Sequence, residues 1–219
     1  MIQKSLVLLK PDAYLRRYIG ASILREFKEK IGSKIIAFAE INPTVELAEK
    51  HYAVHREKPF FRKLIDYLTL GPVIAMIVQG EGVISEIRSM LGNTFSNKAA
   101  PESIRGRYGI WDGINVAHAS DSDETAAYEI SLWEREAGLC EVRRKKVDED
   151  IMRYVEKWSK TNINKTLELR RICQEIATAS ITNVEENKRR LYGLLRLECY
   201  DSETATVKKF VDVILDSLS

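Results

Sequence analysis

The segment NVAHASDS, residues 115–122, carries His118, one of three histidines in the chain. It sits where an apolar run gives way to an acid-rich stretch, the kind of junction at which side chains project into clefts. Ser120 and Asp121 follow directly, and Glu129 lies further along the same stretch. A carboxylate that accepts a hydrogen bond from one imidazole nitrogen fixes the tautomer and leaves the other nitrogen free to attack. If the target is phosphorus, the remaining task is positioning and charge neutralisation, which requires cations around the transferred group. Lys10, Arg88 and Arg105 are the candidates. Lys10 ends an apolar run just before Pro11, an odd place for a lysine that only meets solvent. Arg88 falls in a helical pattern, where a surface role is equally open. Arg105, in SIRGRYG, lies in a loop from which a guanidinium can grip a phosphate through two bonds. Taken singly, each has an ordinary structural explanation.

These residues need a scaffold, and the first 140 residues supply alternating signals for one. KSLVLLK reads as a buried strand stopped by Pro11. Ile19, Ile23, Leu24 and Phe27 recur at helical spacing. KIIAFAEI is a second strand, and TVELAEKHYAVH is a helix with Thr44 as N-cap. Pro59 suits the first turn of a helix running through Leu68. PVIAMIVQG is a third strand, GVISEIRSMLG a helix closed by Gly92, and INVAHAS a fourth strand. DSDETAAYEISLWE is a helix with acids in its first turn, where the helix dipole favours them. This βαββαβ order predicts an α+β fold: an antiparallel sheet with helices on one face.

Beyond residue 140 the pattern changes. All five prolines lie at or before Pro101, and only Gly193 of the eleven glycines lies beyond Gly138. Four apolar stripes follow at helical spacing. They are Val147, Ile151, Tyr154, Val155 and Trp158; Leu169, Ile172, Cys173 and Ile176; Leu191, Leu194 and Leu195; and Val207, Phe210, Val211, Ile214, Leu215 and Leu218. Thr182 with Glu185 forms a capping-box signal before the third. The chain therefore divides into a unit over 1–140 and an all-helical extension over 141–219, whose stripes must be buried in a bundle or against the first unit.

Composition narrows the class. Apolar residues make up 45% of 219, enough for a substantial core, and a net charge of +2 does not mark a nucleic-acid binder. RRKK at 143–146 is the one dense basic run, and Asp148, Glu149 and Asp150 follow closely, as on a solvated helix start. Cys140, Cys173 and Cys199 are widely spaced without a C-x-x-C, which argues against a disulfide framework or a structural zinc. Reduced thiols fit a cytoplasmic protein. The N-terminus reaches Lys4 without the apolar stretch of a secretion signal, and no run is long enough to span a membrane.

Five segments occur in order: LLKPDA, HYAVHREKPFF, GPVIAMIVQGEGVISEIRSMLGNT, PESIRG and NVAHASDS. Together they resemble the nucleoside diphosphate kinase family over roughly the first 135 residues, with the N-x-x-H-x-S-D pattern around His118 as the family signature. The resemblance implies a ferredoxin-like α/β sandwich and a ping-pong transfer of the γ-phosphate from a nucleoside triphosphate, such as ATP, to a nucleoside diphosphate. His118 would be the phosphorylated nucleophile, Glu129 would orient its ring, and Ser120 would hold that glutamate. Lys10, Tyr52, Arg88, Thr94 and Arg105 would hold phosphates. Lys10 and Asn115 would reach the ribose hydroxyls, and Phe60 would stack on the base. Magnesium would bridge the nucleotide's phosphates rather than take a protein ligand set. A neutral imidazole must attack, so activity should fall in acid as His118 protonates. A homo-oligomer is expected.

Some positions depart from the family pattern. Ser96 stands where proline is common, and PESIRGR, with Glu102, Ser103 and Arg107, replaces PGTIRGD. This loop helps build subunit contacts in the family, so the usual assembly is the property most exposed to change. The helical extension is a further departure. A nucleotide-binding regulatory or interaction protein, with the extension as its partner-binding element, is the second reading. The presence of every residue assigned to chemistry favours the first.

Overall fold

The computed structural model describes residues 1–178 and 183–218. Among these, four strands form one antiparallel sheet in the order β2-β3-β1-β4. They are β1 (Ile2–Leu9), β2 (Ile35–Ile41), β3 (Val73–Glu81) and β4 (Ala117–Ala119). Leu6 to Leu9 in β1 and Val73 to Val78 in β3 are fully buried without alternation. A strand whose successive residues are all buried must be covered on both faces. Helices therefore lie on both sides of the sheet rather than on one, within the ferredoxin-like fold expected.

Two helices follow β1: α1 (Pro11–Leu15), with Pro11 at its first position, and α2 (Arg17–Ile31). Helix α3 (Val45–His51) begins at Thr44, whose hydroxyl accepts from the Leu47 amide. Helix α4 (Phe61–Leu68) starts two residues past Pro59, which ends up in the preceding turn. Helix α5 (Val83–Leu91) stops at Gly92, which takes φ +80°, a value that favours glycine. Helix α6 (Ile104–Tyr108) is short, and α7 (Asp123–Ala137) opens on a capping box between Ser122 and Thr125.

Strand β4 is shorter than the run INVAHAS predicts, for a local reason. Val116 has φ +65°, a strained left-handed conformation for a β-branched residue. It is held there from both sides. The Val116 amide donates to Asp12 Oδ2 (3.1 Å), and its carbonyl accepts from the Lys10 amide (2.8 Å). The strand can start only after this kink, two residues before His118.

The later helices are α8 (Arg144–Trp158), α9 (Thr166–Thr178), α10 (Val184–Glu198) and α11 (Thr204–Asp216). All four predicted stripes face inward. Helix α8 places Val147, Ile151, Tyr154 and Val155 in the same core as the sheet. Helices α9 to α11 build a second core from Leu169, Cys173, Leu191, Leu195, Phe210 and Ile214. Leu15, Tyr67, Leu70, Ile110 and Ile114, all from before residue 140, complete that core. Thr182 lies outside the described residues; at the start of α10, Asn183 Oδ1 accepts from the Glu186 amide (3.1 Å). Arg16, between α1 and α2, has no exposed surface and reaches the later helices. Its guanidinium donates to Glu198 Oε2 (2.8 Å) and Oε1 (3.2 Å), to Thr166 Oγ1 (2.5 Å) and to the Tyr108 carbonyl (2.7 Å).

At the outer side of β2, the Val142 amide donates to the Ile36 carbonyl (3.0 Å), so the lead into α8 runs beside that strand.

Candidate active site

His118 lies in β4, opposite Leu8 of β1. Its side chain is 21% exposed, enough to meet a ligand while the ring is held from behind. The holder is Glu129. Ala126, Glu129, Ile130 and Trp133 form the buried face of α7, at the spacing of one helical stripe. Glu129 thus occupies a core slot that an apolar residue would normally fill. Its Oε1 is 2.9 Å from His118 Nε2, ion-pair separation, with the contact off the ideal N–H direction. Its Oε2 accepts from Ser120 Oγ (2.6 Å), and the same hydroxyl accepts from the Leu6 amide (3.0 Å). Burial alone would raise the Glu129 carboxyl. The charge and contact of His118, with help from His51 and Ser120, outweigh it and hold the group below its ordinary range. The carboxylate therefore stays ionised beside the ring. Since Nε2 faces it, Nδ1 is the nitrogen left for chemistry.

A second histidine, which the sequence does not single out, completes this layer. The His51 ring stands edge-on to His118 with centroids 4.7 Å apart, and its Nδ1 accepts from Trp133 Nε1 (3.4 Å). Burial, reinforced by the nearby charge of His118, lowers its pKa to about 3. His51 is thus a neutral wall that cannot compete for the proton. From it a series of rings runs outward: Tyr52 at 4.7 Å from His51, His55 at 6.4 Å from Tyr52, and Phe60 at 5.7 Å from His55. Phe60 ends the series 43% exposed.

The cations converge on the same place. Lys10 is buried at the end of β1; its Nζ donates to Asn115 Oδ1 (3.0 Å) and lies 4.9 Å from the Tyr67 ring centroid. Burial and the positive charge of Arg105, opposed by Asp12, bring its pKa down to about 7. Asn115 Nδ2 donates to the Thr94 carbonyl (2.8 Å), which ties the Thr94 segment to the same wall. Arg105 is buried on α6 and donates to the carbonyls of Gly92 (2.8 Å) and Ala117 (2.9 Å), the latter adjacent to His118. Its Nε is buried without a partner. Burial and the charge of Arg88 lower the Arg105 pKa to about 10, which places exposed Arg88 within electrostatic range. Tyr52 has a buried hydroxyl without a partner. Burial, with the charge of Glu129, raises its pKa while Arg105 opposes. A buried donor set of one sign with unfilled hydrogen-bonding capacity is suited to an anion.

The altered loop finds local partners. Ser103 is the N-cap of α6, its hydroxyl accepting from the Gly106 amide (3.1 Å) and donating to the Ala100 carbonyl (2.7 Å). A side chain at Gly106 would collide with that same carbonyl. Arg107 pairs with Glu26 and donates to the Glu102 carbonyl (3.1 Å). Ser96 is buried, its amide on the Asp112 carbonyl (3.2 Å).

The sheet, the histidine with its carboxylate and the ring of cations define a phosphate-handling fold. The chain belongs to the nucleoside diphosphate kinase family, whose model matches residues 3–138. The nucleoside diphosphate kinase of Prochlorococcus marinus (strain AS9601) is 43% identical over 139 residues, 64% of this chain and 90% of that one. That of Synechococcus sp. (strain CC9311) is 46% identical over 131 residues, 60% and 85%. Among solved structures, the Aquifex aeolicus nucleoside diphosphate kinase superposes with a TM-score of 0.57 at 36% identity, covering 64% of this chain and all of that one. The Halobacterium salinarum enzyme in complex with CDP gives 0.58 at 32%, covering 69% and 99%.

Proposed function

We propose that the chain moves the γ-phosphate of a nucleoside triphosphate to a nucleoside diphosphate through His118. The observation that carries this reading is the Ser120–Glu129–His118 series set against Lys10, Arg88 and Arg105. In the first half-reaction Nδ1 of neutral His118 bonds the γ-phosphorus while the bond from phosphorus to the β-bridging oxygen breaks, releasing the diphosphate. The ring gains positive charge as the new bond forms, and the Glu129 carboxylate stabilises it. A second diphosphate then takes the phosphate by the reverse step. Lys10, Tyr52, Arg88, Thr94 and Arg105 hold phosphates, Lys10 and Asn115 reach the ribose, and Phe60 stacks on the base. Stacking on an exposed ring discriminates weakly among bases, since every base has a π face.

Magnesium belongs to this reading as an ion that travels with the nucleotide. Among the described residues, the cluster with metal-ligand spacing is His51, His118 and Glu129, nitrogen-rich and already committed to the nucleophile. Asp121, kept ionised first by its Thr125 bond, lies within electrostatic range of Arg88 and His118 and would steady the hydrated ion. The division of the chain at residue 140 is part of the proposal, supported by a family match that ends at 138. So are a homo-oligomeric state, open to sedimentation, and a cytoplasmic setting, supported by three unpaired cysteines. No helix among the described residues is long and apolar enough to cross a membrane.

The test is phosphate transfer from ATP to GDP by the full chain beside His118→Ala, with acid-labile phosphate on the protein measured in the same samples. Transfer and phosphoenzyme both lost in the variant is the expected result. A folded wild type that binds nucleotide yet forms no phosphoenzyme would sink the reading.

A further inference from the structure

Helix α6 has only five residues, too few to hold its shape by its own hydrogen bonds. The Arg105 carbonyl accepts from the Gly109 amide (3.0 Å), while the carbonyls of Gly106 and Tyr108 have no such backbone partner among the described residues and take bonds from elsewhere. Two arginines supply them. Arg170, from α9, donates through Nη2 to the Arg105 carbonyl (2.9 Å), through Nη1 to Gly106 (2.7 Å) and through Nε to Gly109 (2.7 Å). Arg16 takes the Tyr108 carbonyl and is itself held by Glu198 and Thr166. Both cations sit at the negative end of the helix dipole. Burial, then the charge of Arg16, lowers the Arg170 pKa, so the two guanidiniums are close enough to repel. For Arg16 the Glu198 carboxylate outweighs burial and keeps the pKa raised. Arg170, Thr166 and Glu198 all lie beyond residue 138, where the family match ends.

What α6 carries is Arg105. Arg170 grips the backbone of Arg105 itself, and the Arg105 side chain reaches the Gly92 carbonyl and that of Ala117, the neighbour of His118. A short continuous path thus runs from the helical extension to the nucleophile.

We propose that Arg170 is a positioning residue of the phosphate site, acting through Arg105, and that the helical extension is a working part of the transfer machinery. The proposal rests on the phosphotransfer reading. Three bonds from three guanidinium nitrogens to the carbonyls of Arg105, Gly106 and Gly109 need the rigid fork of arginine; a lysine ammonium is a point charge and cannot span them. Misplacing a catalytic group by about an ångström costs roughly a hundredfold in rate, so a smaller drift of Arg105 should cost about tenfold.

The experiment compares Arg170→Met, Arg170→Lys, Arg105→Ala and the Arg170→Met/Arg105→Ala pair in the full chain. It reads kcat/KM for ATP with GDP as acceptor, ADP binding by calorimetry, and hydrogen exchange of the amides of 103–110. Arg170→Met is expected to lower kcat/KM about tenfold and to expose those amides. In the Arg105→Ala background the same change should matter by less than about twofold, the size of ordinary non-coupling. Arg170→Lys folds with its charge in place and should recover only part of the loss. Leu191→Ala, in the second core and away from α6, should lower thermal stability and leave kcat/KM unchanged below the melting temperature. Wild-type kcat/KM in Arg170→Met, or an equal loss with and without Arg105, overturns the proposal. Absence of phosphoenzyme on the wild type sinks the phosphotransfer reading instead. In that case unchanged exchange at 103–110 in Arg170→Met separately rejects a hold on α6.

Discussion

Substituting Glu198 by alanine removes the counter-charge of an arginine that has no contact with water. Arg16 is 0% exposed and Glu198 2%. The change deletes two of the four bonds of the guanidinium, those at 2.8 and 3.2 Å, and the acceptor of the Lys165 amide at 2.8 Å. The hydroxyl of Thr166 and the carbonyl of Tyr108 remain, both neutral, and Asp12 stays within electrostatic range without a hydrogen bond to the guanidinium. Breaking a buried ion pair from one side costs about 3–5 kcal/mol, because the other charge stays buried. In a chain of this size each kcal/mol moves the melting temperature by roughly 2–4 °C, so a fall of roughly 6–20 °C is expected. A thermal scan reads that fall, and urea unfolding followed by tryptophan fluorescence and by circular dichroism reads the loss in free energy. The two probes should give coincident midpoints, since residues from both sides of position 140 share the second core. Lys4→Ala, which removes a half-exposed partner of Glu141, serves as the contrast and should leave the midpoint nearly unchanged. Replacing both partners, Arg16→Met with Glu198→Leu, should recover part of the loss, since the Tyr108 carbonyl and the Lys165 amide then lose their partners. A cost below about 1 kcal/mol for Glu198→Ala, the scale of a surface pair, would refute the reasoning.

Two pH effects follow from the site. Lys10, with its pKa lowered to about 7 by burial and by Arg105, is partly neutral in the free protein near neutrality. A bound phosphate favours the charged form, so nucleotide binding should take up protons around pH 7 to 8 and weaken as pH rises through that range. Calorimetry in buffers of different ionisation enthalpy detects the uptake, and Lys10→Arg should abolish it. His51, lowered to about 3 in the folded chain by burial, charges in the unfolded chain near its ordinary value of 6.5. The unfolded state therefore binds more protons between those values, and stability should fall as pH drops from about 6.5 toward 3. Denaturant midpoints across that window should show the slope, and His51→Gln should flatten it.

Much of this fold is written in local periodicities. The stripes of α8 to α11 and the buried runs of β1 and β3 are visible because burial imposes a spacing on neighbouring residues. The site is legible where chemistry leaves an unusual residue in a patterned element. Lys10 closes an apolar strand; Glu129 takes its role from the family resemblance, and its core position in a helix is visible only once α7 is in place. What the sequence hides is non-local. Arg16 and Glu198 are 182 positions apart, and no window that contains one contains the other. His51 looks like any polar residue at a helix end until α7 brings Trp133 against it. Helix α6 is too short to show a period, and β4 is cut short by Val116, whose conformation is fixed by Asp12 and Lys10, about a hundred positions earlier.

The bond from the Val142 amide to the Ile36 carbonyl has a consequence for how copies of this chain behave in a crowded solution. Outer strands with open backbone groups invite strands from other molecules, and from there fibrils and swapped dimers. Here one rim of the sheet is occupied by the chain's own backbone at that point, and the other rim, β4, is only three residues long. A foreign strand would have to peel residue 142 away at one rim or settle for a ladder of a few bonds at the other. At residue 36 the chain's own backbone therefore competes with any strand from another copy, and at β4 the available ladder is short.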